Sequence, residues 1–124
     1  LSFHHCELDD SDCRYIAGAL LALPNIHTLT IRSNKITSIG AMVLFTRIWE
    51  SHGQLNLSFL YLDGNEIGEE GALAISQAIP YLSQLKVLSL CNNPISDVGA
   101  YYIMRSLLNP KRKIYDNLVK KKII

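Results

Sequence analysis

Apolar residues recur along the chain in one pattern, and three copies of it align without gaps. Ile26-x-x-Leu29-x-Ile31-x-x-Asn34-x-Ile36, Leu57-x-x-Leu60-x-Leu62-x-x-Asn65-x-Ile67 and Leu85-x-x-Leu88-x-Leu90-x-x-Asn93-x-Ile95 share every apolar position and one Asn. A fourth copy opens the chain already in progress, as Leu1-x-Phe3-x-x-Cys6-x-Leu8. Cys6 and Asn34 stand 28 residues apart, Asn34 and Asn65 31, and Asn65 and Asn93 28. Self-similarity at such a period marks stacked units that bury their apolar faces against one another. The alternating apolar positions ahead of each Asn predict a short strand.

Each copy has a second half. Gly40-Ala41, Gly71-Ala72 and Gly99-Ala100 follow the last apolar position at one spacing. Apolar residues then fall at helical intervals: Ala41, Leu44, Phe45 and Ile48; Ala72, Ile75 and Ile79; Ala100, Ile103 and Leu107. Cys13, Ile16, Ala17 and Leu20 do the same in the first copy. Every unit is therefore expected to be strand, turn and returning helix. The three-residue excess of the second unit is placed around Ser51-His52-Gly53-Gln54, in a helix-to-strand loop where insertions are tolerated. The Asn has a physical task. Backbone groups become buried where the chain leaves the strand, and a carboxamide offers both a donor and acceptors for them.

These units resemble the ribonuclease-inhibitor class of leucine-rich repeats. Cys6-x-Leu8-x-x-x-x-Cys13 is similar to that class's Cys-type unit, and Asn65-Glu66-Ile67-Gly68-Glu69-Glu70-Gly71-Ala72 to its Asn-type unit. The resemblance spans residues 1 to about 108 and departs at Asp12, where the family has Gly. It implies an α/β fold: a right-handed solenoid forming a short arc, with parallel strands on the concave side and helices on the convex side. It also implies a protein-binding or scaffold role without catalysis. Ran GTPase-activating proteins carry similar units, so GTPase activation is one alternative, and an architectural segment of a larger assembly is another. Repeats share a fold across unrelated functions, so function must be argued from the face they present.

Strand alternation sends the leucines inward and the residues between them to the concave face. One column there holds Ser2, Thr30, Tyr61 and Ser89; a second holds His4, Arg32, Asp63 and Cys91; a third holds Thr28, Phe59 and Val87. Phe59 and Tyr61 lie at the centre, flanked by Arg32 and Asp63. Aromatic and Arg side chains are over-represented at interface hot spots, so this is the expected partner-binding face. The bland alternative is that loops cover Phe59 and that Arg32 and Asp63 form an ordinary cross-strand ion pair.

Composition narrows the rest. At 124 residues and 48% apolar content the chain supports one domain with one core. The odd count of three cysteines, Cys6, Cys13 and Cys91, argues against a disulfide framework and for a reducing, cytoplasmic setting. His4-His5-Cys6 suggests a metal cluster, but a zinc site needs three or four converging ligands, and Cys6 is assigned to a buried turn while His4 and His5 are expected to diverge. No cofactor, metal or catalytic set is expected, nor a small-molecule substrate. Asn56-Leu57-Ser58 matches a glycosylation acceptor, yet Leu57 occupies a core position, so the match is taken as accidental.

The net charge of +1 conceals two halves. Residues 1–110, the repeats, hold 6 Lys/Arg against 10 Asp/Glu; residues 111–124 hold 6 Lys/Arg against one Asp. The tail is expected to be solvated or to cap the last repeat, with an anionic protein or membrane surface as the functional alternative and nucleic acid the weakest. Because the chain opens inside a strand without a polar cap, the natural protein is expected to continue upstream or to have that edge covered.

Overall fold

The computed structural model describes residues 1–108. Among them, helices and strands alternate: α1 (Cys13–Ala22), β1 (Thr28–Thr30), α2 (Ser38–Glu50), β2 (Phe59–Tyr61), α3 (Glu69–Ala78), β3 (Val87–Ser89) and α4 (Asp97–Leu107). The strands form one parallel sheet in the order β1-β2-β3. Residues of the opening copy extend it: Phe3 N–H donates to Thr30 O at 2.7 Å, and Thr30 N–H to Leu1 O at 2.9 Å. The helices pack side by side in a second layer. The architecture is a short arc of parallel strands and returning helices, as the resemblance to leucine-rich repeats implies.

Between the layers lies the core. Leu29, Leu60 and Leu88 from the strands meet Leu44, Phe45, Ile75 and Ile103 from the helices, all nearly inaccessible. A buried Leu, Ile or Phe contributes about 1.5–3 kcal/mol, so the recurring leucines drive the stacking. Helix starts follow local chemistry. Thr37 Oγ1 accepts Ile39 N–H at 3.2 Å, and Ser96 Oγ accepts Gly99 N–H at 3.2 Å. These hydroxyls satisfy donors that the first turn leaves orphaned.

The repeated glycine is required by helix contact. A Cβ on Gly71 would lie 2.6 Å from Ile67 Cγ2 and 3.1 Å from Ser38 Cα, the first residue of the preceding helix. Asp12 takes the corresponding place in the first copy. There the chain makes a 3-10 turn, Asp10–Asp12, and the Asp12 carboxylate accepts Asp9 N–H at 3.0 Å. Among the described residues no earlier helix presses on that turn, so a side chain fits.

The second unit's three extra residues do fall in the loop between Glu50 and Phe59. Ser51 Oγ there donates to Ile48 O at 2.6 Å, and His52 and Gly53 turn with φ of 52° and 83°. Three expectations need correction, all at the edges of the described stack. Cys6, assigned to a buried turn, is exposed. Ala100 is exposed although Ala41 and Ala72 are buried, and Ile95 is only partly buried where Ile36 and Ile67 are closed off. Each of these residues has a described neighbour on one side only.

The Asn ladder is present and runs between repeats. Asn65 Nδ2 donates to Ile31 O at 2.7 Å in the preceding unit and to Leu62 O at 2.9 Å in its own, while its Oδ1 accepts Ile36 N–H at 3.2 Å. Asn34 reaches back to Phe3 O at 2.8 Å and Asn93 to Leu62 O at 2.9 Å, the equivalent positions.

All three cysteines are free. Burial, reinforced by the charges of Asp10, Asp12 and Asp9, pushes the Cys13 thiol up to about 12. Since the thiolate is the reactive form, iodoacetamide at neutral pH should alkylate exposed Cys6 and half-buried Cys91 and spare Cys13 until denaturant is added. Labelling of Cys13 as fast as Cys6 in the folded chain would contradict this placement.

Candidate functional site

The strand register sets the columns of the concave face. Thr28, Phe59 and Val87 stand side by side, as do Thr30, Tyr61 and Ser89. The bridge from Ser2 to Thr30 extends the second row into the opening copy. Thr28, Thr30, Phe59, Tyr61 and Val87 are all half-buried, the exposure of side chains on a sheet face that no other described segment covers.

Charge is arranged tightly across the next column. Arg32 Nε donates to Asp63 Oδ2 at 2.9 Å, and the guanidinium carbon stands 4.3 Å from the centre of the Tyr61 ring. The guanidinium therefore forms an ion pair and stacks on the ring at once. The other Asp63 oxygen accepts the Ser89 hydroxyl and, at 2.8 Å, the Cys91 N–H. Burial acts to raise the Asp63 pKa, but the Ser89 hydroxyl, the Cys91 N–H and Arg32 outweigh it, and the net shift is downward.

A lowered carboxylate pKa has a definite linkage sign. The stabilisation from Asp63 is complete above its ordinary value of 3.8 and is lost as pH falls through the depressed folded value. Asp63→Asn is therefore expected to be less stable than the parent near neutrality and to lose less stability below about pH 4. Denaturant titrations across that range check it; parallel acid limbs for the two proteins would refute it.

Ser89 and Asp63 stand in the columns the sequence reading gave them, with their polar groups engaged within the sheet, whereas His4 departs from it. Ser89 is 9% exposed, its hydroxyl consumed by Asp63, so it offers a partner nothing. Asp63 is likewise occupied and serves as a strut between strands. His4 is exposed beside Arg32 and stacks on His5, ring centres 4.2 Å apart, instead of diverging from it. The strand alternation ends there: His5 and Glu7 take left-handed φ of 53° and 55°. Cys91 is half-buried at the rim. Among the described residues no group of three or more His, Cys, Asp or Glu converges as metal ligands would. Asn56 donates its amide to Pro24 O at 3.1 Å, and Leu57 beside it is 1% exposed, which removes the basis for a sugar site.

Sequence reasoning did not single out the outer face of α2. Ile39, Met42 and Trp49 are exposed there, and Met42, Val43, Thr46, Arg47 and Glu50 line a shallow groove of about 470 Å³. The signal was available, because these residues fall between the buried positions of a helix whose opposite side is already full. No described helix is long and apolar enough to cross a membrane. The basic run at 111–124 and its expected capping role lie outside the described residues.

The ladder, the parallel strands and the helical returns together define a leucine-rich-repeat protein. Residues 22–45, 54–76 and 82–104 match the model of the Leucine Rich repeat family, and the chain belongs to that family. It is similar to the ribonuclease inhibitor of Sus scrofa, 26% identical over 106 residues that cover 86% of this chain and 23% of that protein. It is also similar to NACHT, LRR and PYD domains-containing protein 9C of Mus musculus, 29% identical over 114 residues, and to protein 13 of that series from Homo sapiens, 25% identical over 115. Those alignments cover 92% and 93% of this chain and 11% of each relative. The chain thus spans under a quarter of the length of these relatives. The family suggests a role in protein–protein interaction.

Proposed function

We propose that the chain binds another protein on its strand face, with Phe59, Tyr61 and Arg32 at the centre of the contact. The observation that carries this is a pair of half-exposed aromatic rings on the central strand, one of them under a guanidinium from the neighbouring unit. Thr28, Thr30 and Val87 form the surrounding ground; His4 and Cys91 lie at its margins. A ring already packed on one side loses little conformational freedom when a partner covers the other, so such side chains bind efficiently. A relative named ribonuclease inhibitor has a protein as its target, which agrees with this reading.

Photo-crosslinking tests the choice of face. Benzoylphenylalanine is placed at Tyr61 in one variant and at Trp49, on the outer helices, in another. Protein adducts should form through position 61 and not through 49. Adducts obtained solely from position 49 would transfer the binding role to the convex side.

A further inference from the structure

We propose that the partner presents an acidic side chain to Arg32, seated beside an apolar group that packs on Phe59. This rests on the strand-face reading above and specifies the chemistry that face accepts.

Arg32 is positioned before any partner arrives. Its Nε is bound to Asp63 at 2.9 Å, and its guanidinium carbon lies over the Tyr61 ring, 4.3 Å from the centre. Asp63 cannot swing away to follow solvent, because its second oxygen is held by Ser89 and by the Cys91 N–H. The guanidinium is thus fixed by Tyr61 and Asp63 of one neighbouring strand segment, and through Asp63 by Ser89 of β3 and the Cys91 N–H beyond it. Its two terminal nitrogens have no hydrogen-bond partner among the described residues, and the side chain remains 40% exposed.

What is left is a planar fork of N–H donors with its conformation already chosen. A carboxylate matches such a fork with two parallel charge-assisted bonds, whereas an amide can supply one acceptor and brings unmatched donors. A basic side chain is repelled. Asp63 does not compete for the newcomer's place, since both of its oxygens are engaged with partners. The Tyr61 ring covers one side of the guanidinium, and Phe59 stands two residues from Tyr61 on the same strand face. Hence the residue next to the acid meets the Phe59 ring and is expected to be apolar. Loss of freedom is a main cost of association, and it has been met for Arg32 within the fold itself.

Selection from a random-peptide library displayed on phage gives identifiable probes. The chain serves as bait, and peptides that also bind the Phe59→Ala/Tyr61→Ala variant are discarded. The retained peptides are then synthesised with each acid and with its amide. We expect every one to contain a Glu or Asp whose amidation weakens binding to the parent chain by at least about tenfold. The same amidation should cost less than about twofold against Arg32→Met, because the coupled partner is gone. Arg32→Lys, which keeps charge without the planar fork, should fall between the two and serves alone if Arg32→Met fails to fold.

Retained peptides without an acid would overturn the inference and leave the strand-face reading standing. So would an amidation penalty unchanged by substitution of Arg32. Recovery of no peptide that depends on Phe59 and Tyr61 would overturn both.

Discussion

Asn65→Ala is expected to lower the denaturant midpoint of the chain more than any substitution on its exposed surface. Asn65 is 5% exposed and serves groups in two repeats. Its loss strips Ile36 N–H of its acceptor and Ile31 O of its donor, while Leu62 O retains the bond from Asn93 at 2.9 Å. Two buried backbone groups are then left unpaired, at about 1–3 kcal/mol each. The total, roughly 2–6 kcal/mol, is a large fraction of the 5–15 kcal/mol that holds a domain folded. Asn65→Asp should be no milder. Its carboxylate could still accept from Ile36, yet it would set a negative charge against the carbonyls of Ile31 and Leu62. Asn93→Ala should cost less, since Asn93 is only partly buried and water can reach the groups it leaves. Glu66→Ala, an exposed neighbour, supplies the baseline. Urea unfolding that gave Asn65→Ala the midpoint of Glu66→Ala would end the ladder argument.

The ladder could be anticipated because every term in it is local to the repeat. Spacing places each Asn at a strand exit, and the stacked unit supplies the same carbonyl one layer back. The recurrence of glycine was legible for a similar reason, although the close contacts that require it show only where successive helices meet. The fate of Ser89 was not. Alternation assigns it correctly to the strand face, but its burial depends on Asp63 turning toward β3, which is settled by the Cys91 N–H in the following turn. A period-two rule contains nothing about that turn. His4 and Cys6 escaped for the opposite reason. Both sit where the repeat pattern has a described neighbour on one side, so positions averaged over complete copies misplace them. Arg32 and Asp63 show the middle case. Their pairing could be foreseen from their shared column, whereas the ring beneath the guanidinium, which converts an ordinary ion pair into a fixed donor, shows only in the folded chain.

Replacing Phe59 and Tyr61 together by Ala should abolish most of the affinity for a strand-face partner while leaving the fold largely intact. Each ring can bury on the order of 150 Å² against another protein, but both are already half-covered, which about halves the gain. At about 25 cal/mol per Å², each ring then contributes on the order of 2 kcal/mol, and the pair about 4. Affinity should therefore fall by roughly three orders of magnitude. Stability should fall less, because neither ring belongs to the core. The main loss within the chain is the Arg32–Tyr61 stack, worth about 0.5–1 kcal/mol at a site this open. Leu60, between the two rings on the same strand, is the internal control. It is fully buried, so Leu60→Ala should cost about 2–5 kcal/mol of stability. Where Leu60→Ala still folds, its rings remain on the surface and affinity should change little. Calorimetry against a partner trapped through position 61, paired with thermal melts of each variant, separates the two effects. If the double variant binds within about twofold of the parent, the rings are not the anchors, since truncating an anchor costs more than 1 kcal/mol.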